Sequence, residues 1–304
     1  MNYLQLRDAI QNYTESSETS FVASIPRFVR QAEERIVRSV MIPELRKNAT
    51  STLVASNPYL QRPTDFLSVF SLAVIDNNGN YNYLIDKDVN FMREAYPSPS
   101  STGIPKYYSQ FDGDGSVSAQ GNFILAPTPG ANLTVELHYY YDPPSIVQSS
   151  ISALGTVAGG SGYTPGRYWN VPLTNGSGSG ATANITVSGA GVVSAVDLVD
   201  PGALYVAGDT LAANNATLGG GSLFSVPVNS VLNTSGTSWF GDNAETALLY
   251  GCLIEAYTYL KGDADLMQMY TARYNEAMSN LFGIDIRSSR DDYRDGQYKV
   301  GSAA

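Results

Sequence analysis

The sequence holds one cysteine and one histidine in 304 residues, and charged side chains make up only 15% of it, against roughly 25% in an ordinary soluble domain. One cysteine excludes an intramolecular disulfide and a thiolate zinc cluster, so stability must come from packing, strand pairing or assembly. Cys252 itself lies in a helical pattern and reads as a small buried hydrophobe. No stretch approaches 18 apolar residues, and the opening MNYLQLRDAI is polar and charged where a secretory signal needs an apolar run. A protein made in a cytoplasm, with no membrane segment, is expected, and the Asn-x-Ser/Thr triplets at Asn48 and Asn132 are read as chance matches. Bases are also scarce: 18 Lys and Arg face 28 Asp and Glu, a formal charge of −10, which disfavours a non-specific grip on nucleic acid or anionic lipid.

The shortage of charge is local. Residues 154–235 contain one base, Arg167, and three acids, Asp197, Asp200 and Asp209, yet hold 15 of the 28 glycines. Runs such as 183–188, 192–199 and 223–228 are β-rich and separated by Gly, Pro, Asn and Ser clusters, so short strands joined by tight turns are expected. An echo appears as Gly160-x-x-Tyr163-x-x-Gly166 and Gly202-x-x-Tyr205-x-x-Gly208, where glycine permits positive φ beside a tyrosine packed across a turn. Two copies suggest pseudo-repeated hairpins and fall short of a solenoid.

The flanking sequence is more ordinary. Ile25, Phe28, Val29, Ala32, Ile36 and Val40 recur at helical spacing behind Ser24 as N-cap, with Pro26 in the first turn. Strands are predicted over 50–55 and 66–75, followed by an Asn77-Asn78-Gly79 turn and a return strand over 81–85. The alternation from Leu133 to Tyr141 gives a half-buried strand ended by Asp142-Pro143-Pro144. Asp242-x-x-Glu245 resembles a capping box opening a helix through Leu260. Lys261-Gly262-Asp263 then turns the chain into an antiparallel helix to Leu281, with Leu266, Met269, Tyr270, Tyr274, Ala277 and Leu281 inward.

Chemical signatures are lacking. A hydrolytic triad needs a base titrating near neutrality, and His138 is the sole candidate; its strand neighbours are Glu136 and Tyr140, and a surface histidine is the blander reading. Asp112-Gly-Asp114-Gly-Ser116 lacks the distal glutamate of a calcium loop and reads as a β-turn. Gly219-Gly220-Gly221 opens no helix and precedes no Lys-Ser/Thr, so it is no phosphate loop. Neither catalytic, cofactor-binding nor metal-binding residues are assigned, and a non-enzyme is expected.

Several stretches, in order, carry a resemblance: 28–36 (FVRQAEERI), 60–67 (LQRPTDFL), 103–108 (GIPKYY), 123–129 (FILAPTP), 137–144 (LHYYYDPP) and the helices from 248–256 through 274–277. Together they resemble a tailed-bacteriophage head-to-tail adaptor, also called a connector or head-completion protein, over about 1–150 and 236–304. The resemblance implies an α+β fold: a helical bundle of N- and C-terminal helices with a small antiparallel sheet and β-hairpins, here with an inserted all-β domain. Its parts would be a discontinuous adaptor core of 1–153 and 236–304, ending in an extended 286–304 tail, and the 154–235 insert, which resembles β modules that decorate phage structural proteins. It also implies a virion protein of the neck, assembled in the host cytoplasm as a homo-oligomeric ring, commonly of twelve copies. The ring would join the portal to tail tube, nozzle or tail-fibre proteins around a channel through which DNA passes without specific binding. Ile286, Tyr293, Arg294, Tyr298 and Lys299 of the tail would dock on the portal. The alternatives are a carbohydrate-binding tail or adhesion protein, using Tyr163, Tyr168, Trp169 and Tyr205, and, more weakly, a cell-wall hydrolase.

Overall fold

The computed structural model describes residues 1–39, 42–98, 100–111 and 121–290, the last nine by their backbone. The chain forms two compact units, one of Met1–Val40 with Pro144–Ala304, the other of Met41–Pro143. Mixed helix and sheet make it an α+β protein. The Asp112 to Ser116 turn lies outside the described residues.

The first unit opens with α1 (Tyr3–Thr14), set by a capping box in which Asn2 and Gln5 each accept the other's backbone N–H at 2.9 Å. Next comes α2 (Thr19–Ser39), which starts five residues before the expected cap and carries Pro26 inside it. Ser24 is therefore no N-cap; its hydroxyl donates to the Ser20 carbonyl at 2.8 Å. The physical reason is burial. Phe21 and Ile25 are fully buried and extend the Phe28, Val29, Ala32, Ile36 stripe by another turn, which outweighs a penalty of about 3 kcal/mol for an interior proline.

In the second unit β1 (Arg46–Leu53), β2 (Tyr59–Gln61), β3 (Phe66–Ile75), β4 (Tyr81–Tyr83) and β5 (Ile85–Asp86) lead to the short α3 (Val89–Ala95). Then come β6 (Thr102–Gly103), β7 (Tyr107–Phe111), β8 (Asn122–Ala126), β9 (Thr128–Pro129) and β10 (Leu133–Tyr141). One sheet runs β1-β10-β3-β4 and another β2-β8-β7-β5, while β6 pairs with β9. Leu72, Val74, Val135, Leu137 and Tyr139 from the first sheet and Phe123 and Leu125 from the second meet in one core. The predicted hairpin is present: Gly79 sits at φ +84° and Asp76 accepts the Asn78 and Asn80 amides at 2.9 Å. Its return strand breaks at Leu84, because β5 leaves β3 and pairs in parallel with β7.

The chain then re-enters the first unit through β11 (Ser150–Leu154), β12 (Ala158–Ser161), β13 (Gly166–Thr174), β14 (Ser179–Val187), β15 (Val193–Ala203), β16 (Thr210–Ala213) and β17 (Ser222–Leu232). These form a sheet in the order β11-β17-β16-β13-β14-β15, with β12 also on β17. Three helices follow, α4 (Trp239–Asn243), α5 (Glu245–Leu260) and α6 (Ala264–Arg290). α5 packs against α1, α2 and α6. The anticipated capping box is not formed: Asp242 belongs to α4, and α5 starts at Glu245 behind Ala244, which has no capping side chain. Lys261, at φ +54°, does end α5, and Asp263 accepts the Asp265 amide at 3.1 Å. On α6, Tyr270, Tyr274, Met278 and Leu281 are buried, whereas Leu266 and Met269 are exposed. The side that meets α5 runs through Tyr270, which packs on Tyr250 and Tyr257, and Met269 one residue earlier is turned off it.

The echo in the Gly-rich segment is a structural repeat. Gly160 and Gly202 stand at φ +60° and +58°. A Cβ at Gly160 would collide with backbone of Ser222 and Phe224, and one at Gly202 with backbone of Ser179 and Ala181. Three residues on, Tyr163 and Tyr205 are buried, and their hydroxyls accept the amides of Phe224 at 3.0 Å and Ala181 at 3.4 Å. Each ring lies where a Cβ on Gly221 or Gly178 would be. Gly178-Ser179-Gly180-Ala181 and Gly221-Ser222-Leu223-Phe224 are therefore equivalent, with Gly180 and Leu223 both at positive φ. The tyrosine of each half reads the strand of the other.

Candidate functional site

The ion pairs that fix α2 on the Gly-rich sheet converge on Asp200. β15 brings this carboxylate to α2, where Arg27 Nε reaches it at 3.2 Å and Arg30 also pairs with it. Its side chain is 10% exposed and also accepts the Gly202 amide at 3.1 Å, so the charge is neutralised and its lone pairs are used. Arg27 and Arg30 are one helical turn apart, which puts both on one face of α2. Below them Ala23 backbone meets Gly180, where a Cβ would collide with it. On the same helix Arg35 pairs with Glu255 of α5 and lies over the Tyr274 ring, while buried Glu33 accepts the Ile146 amide at 2.7 Å. These groups hold sheet, loop and helices together and leave no reactive side chain in common.

The remaining chemistry of the first unit is no richer. A cleft of about 440 Å³ between the start of α5 and α6 is lined by Asp242, Glu245, Tyr250, Arg273, Glu276 and Asn280. Cys252 is fully buried, and burial pushes its thiol well above the usual value, which leaves it unreactive. Among the described residues no group of three or more His, Cys, Asp and Glu could hold a metal ion. Nor is any helix among them long and apolar enough to cross a membrane.

In the second unit the histidine gains a partner that the sequence did not suggest. Ser71 Oγ lies 3.0 Å from His138 Nδ1, and His138 Nε2 lies 3.2 Å from Glu136 Oε1. Glu136 also accepts from Asn48 at 2.9 Å and holds the Tyr81 hydroxyl, whose pKa it raises. The order serine, histidine, carboxylate suggests a triad, but the register accounts for it without chemistry. His138 pairs with Asn48 of β1 and with Ser71 of β3, so the row is a set of cross-strand neighbours. Ser71 sits mid-strand between paired residues, away from the sharp turn or helix start that usually provides oxyanion donors. Beside it the same sheet exposes Phe70, Tyr81 and Tyr83, the last two stacked with centroids 6.5 Å apart.

Of the proposed docking residues, Ile286 alone is among the described ones. The α6 helix continues through Gly283 to Arg290, so Ile286 is on a helix and not in an extended tail; Tyr293, Arg294, Tyr298 and Lys299 lie outside the described residues. Of the four aromatics weighed for carbohydrate binding, Tyr163 and Tyr205 are core residues and Tyr168 is half-buried, which leaves Trp169 exposed.

One family model matches the chain, that of the SU10 adaptor protein, over residues 1–160. No curated protein matches it.

Proposed function

As this chain belongs to the SU10 adaptor protein family and so is a phage head-to-tail adaptor, we propose that its copies close into a ring that joins the portal of the capsid to the tail around the DNA channel. The family match, which spans just over half of the chain, carries this reading. The packing of α1, α2 and α6 on α5 supports its finer form, a helical bundle as the body of the adaptor. Closed rotational symmetry would multiply modest contacts per copy into a stable collar and stop growth at a defined size, twelve copies in this reading. A net charge of −10 favours a bore along which DNA slides without sticking. The 286–304 segment would dock on the portal through Ile286, Tyr293, Arg294, Tyr298 and Lys299. α6 supports that role because it carries the helix as far as Arg290, into the segment proposed to dock. The 154–235 segment would be an insertion on this core, since the family match ends just inside it.

The test is a native mass measurement of the protein mixed with purified portal. A ring-on-ring complex of fixed stoichiometry is expected, with a marked loss of binding when 286–304 is deleted. Monomeric protein that ignores the portal would overturn the ring, and undiminished binding by the truncated chain would remove the tail from the interface.

A further inference from the structure

The two halves of the Gly-rich sheet share a pairing pattern, and in the first an irregularity lies next to a tryptophan. Val171 pairs with Ala183 in the first half as Leu211 pairs with Val226 in the second. Gly208 and Leu211 are three residues apart and Gly166 and Val171 five; the second half has a bulge where Gly208, at φ +96°, donates to the Val228 carbonyl and Asp209 accepts the Val228 amide, both at 2.8 Å. In the first half β13 takes three steps from Tyr168 to Val171 while β14 takes two from Ile185 to Ala183, a bulge of one extra residue with Asn170 at φ +50°. Trp169 follows half-buried Tyr168 and faces outward by ordinary strand alternation, 64% exposed, with the bulge immediately after it.

We propose that this face is a binding site for a neutral, hydroxyl-rich oligosaccharide, with the Trp169 indole as its platform. Arg167 lies over the ring at 4.5 Å and pairs with Asp197 at 3.4 Å, so one ring face is covered, the ring is braced and the local charge is balanced. The other face is a flat apolar surface suited to the C–H face of a pyranose. Asn184 and Thr186 of β14 stand beside it, opposite Asp197 and Arg167 in the register. Asn184 Oδ1 accepts the Asn170 amide at 3.0 Å, which fixes the side chain and points to its NH2 group as a hydroxyl-directed donor. Asp197 supplies acceptor oxygens for vicinal hydroxyls. An anionic ligand has no partner here. Of the four charges in 154–235, Arg167 and Asp197 are paired, Asp200 is held by α2, and Asp209 is bound by Ser177 and the Val206 amide. A protein partner is disfavoured because the indole stands among polar neighbours and not in a contiguous apolar patch.

The experiment is a neutral and acidic bacterial glycan array probed with the full chain, followed by fluorescence titration of each hit in a Trp239→Phe background, where Trp169 is the sole indole. Saturable emission changes with a neutral oligosaccharide are expected. Trp169→Ala should weaken binding about tenfold or more, the behaviour of a central stacking residue, with an unchanged melting temperature because the ring is outside the core. Trp169→Tyr should retain much of the affinity and serves as the folded control. An array without neutral hits, equal affinity in Trp169→Ala, or preference for acidic glycans would overturn the proposal.

Discussion

The chain builds its two β regions by different means. In the 41–143 unit the outer sheet is tied by long charged side chains laid over aromatic rings. Arg46 lies 4.2 Å from the Phe70 ring and donates to Tyr140, and Lys47 lies 3.9 Å from the Tyr141 ring while bonding Asp65 at 2.7 Å. In the 150–232 sheet such contacts are sparse, and the backbone itself comes close: glycines let strands approach, and two buried tyrosines bond to amides across them. A sheet low in charge does not need to be loose. It exchanges adjustable side-chain contacts for fixed backbone ones, which tolerate salt well and substitution badly.

The largest effect expected from this difference is at Gly160. Gly160→Val puts a side chain into the Ser222 and Phe224 backbone at a positive φ, and should cost about 3 kcal/mol or more, seen as a collapse of the melting temperature or loss of soluble protein. Asp200→Asn comes next. Removing the charge that Arg27 and Arg30 share should cost about 2 kcal/mol and speed hydrogen exchange at Gly202 before it affects α6. Tyr163→Phe should cost about 1–2 kcal/mol, because it strands the Phe224 amide and the side-chain Oδ1 of Asn215, to which the hydroxyl donates at 3.0 Å. Tyr205→Phe should cost less, since its bond is the longer one. If the two tyrosines respond alike, the hydroxyls are not what distinguishes the halves.

The smallest effect separates the two regions by salt. Burial tends to raise the Asp65 pKa, but bonds from Lys47 and from Tyr139 at 2.8 Å hold it below the usual range. Asp209 is also lowered, chiefly by the Ser177 hydroxyl at 2.6 Å with help from the Val206 amide. A depressed carboxylate contributes stability above its unfolded pKa, about 3.9, and that contribution is lost as pH falls through the folded value. Both regions should therefore weaken in acid below about pH 4. Added salt at pH 5 should weaken only the Asp65 contribution, whose partner is a cation, by less than about 1 kcal/mol. Thermal melts of Asp65→Asn and Asp209→Asn against ionic strength would check it; equal salt slopes would contradict the contrast.

How much was legible in the sequence follows the same division. Counting charges and glycines drew the edge of the Gly-rich sheet to within a few residues, because composition and backbone requirement coincide there. The tyrosine repeat was visible, yet its other half was not, although Gly178-Ser179 and Gly221-Ser222 recur at nearly the same offset as Tyr163 and Tyr205. The missing link is spatial, since each tyrosine meets the opposite copy. Ser24 and Pro26 carry local signals for a helix start, and burial of Phe21 and Ile25 overrode them. The Ser71 contact to His138 was hidden because the register that joins β3 and β10 is set by a face alternation 67 residues apart. Trp169 was one of four candidate aromatics, and sequence did not tell it from Tyr163 or Tyr205, which share its neighbourhood and lie in the core.

The exchange of tyrosines between halves has a kinetic side. The Tyr163 hydroxyl accepts its amide from Phe224 across 61 residues of chain, so neither half can complete itself as it emerges from the ribosome. The α5 and α6 hairpin forms from neighbours in sequence, whereas the sheet must await its last strand and close a long loop for which little contact is gained beforehand. Helices should reach native protection early in refolding and the Gly-rich sheet late and all at once, so that the slow step in making an adaptor subunit is the closing of β17.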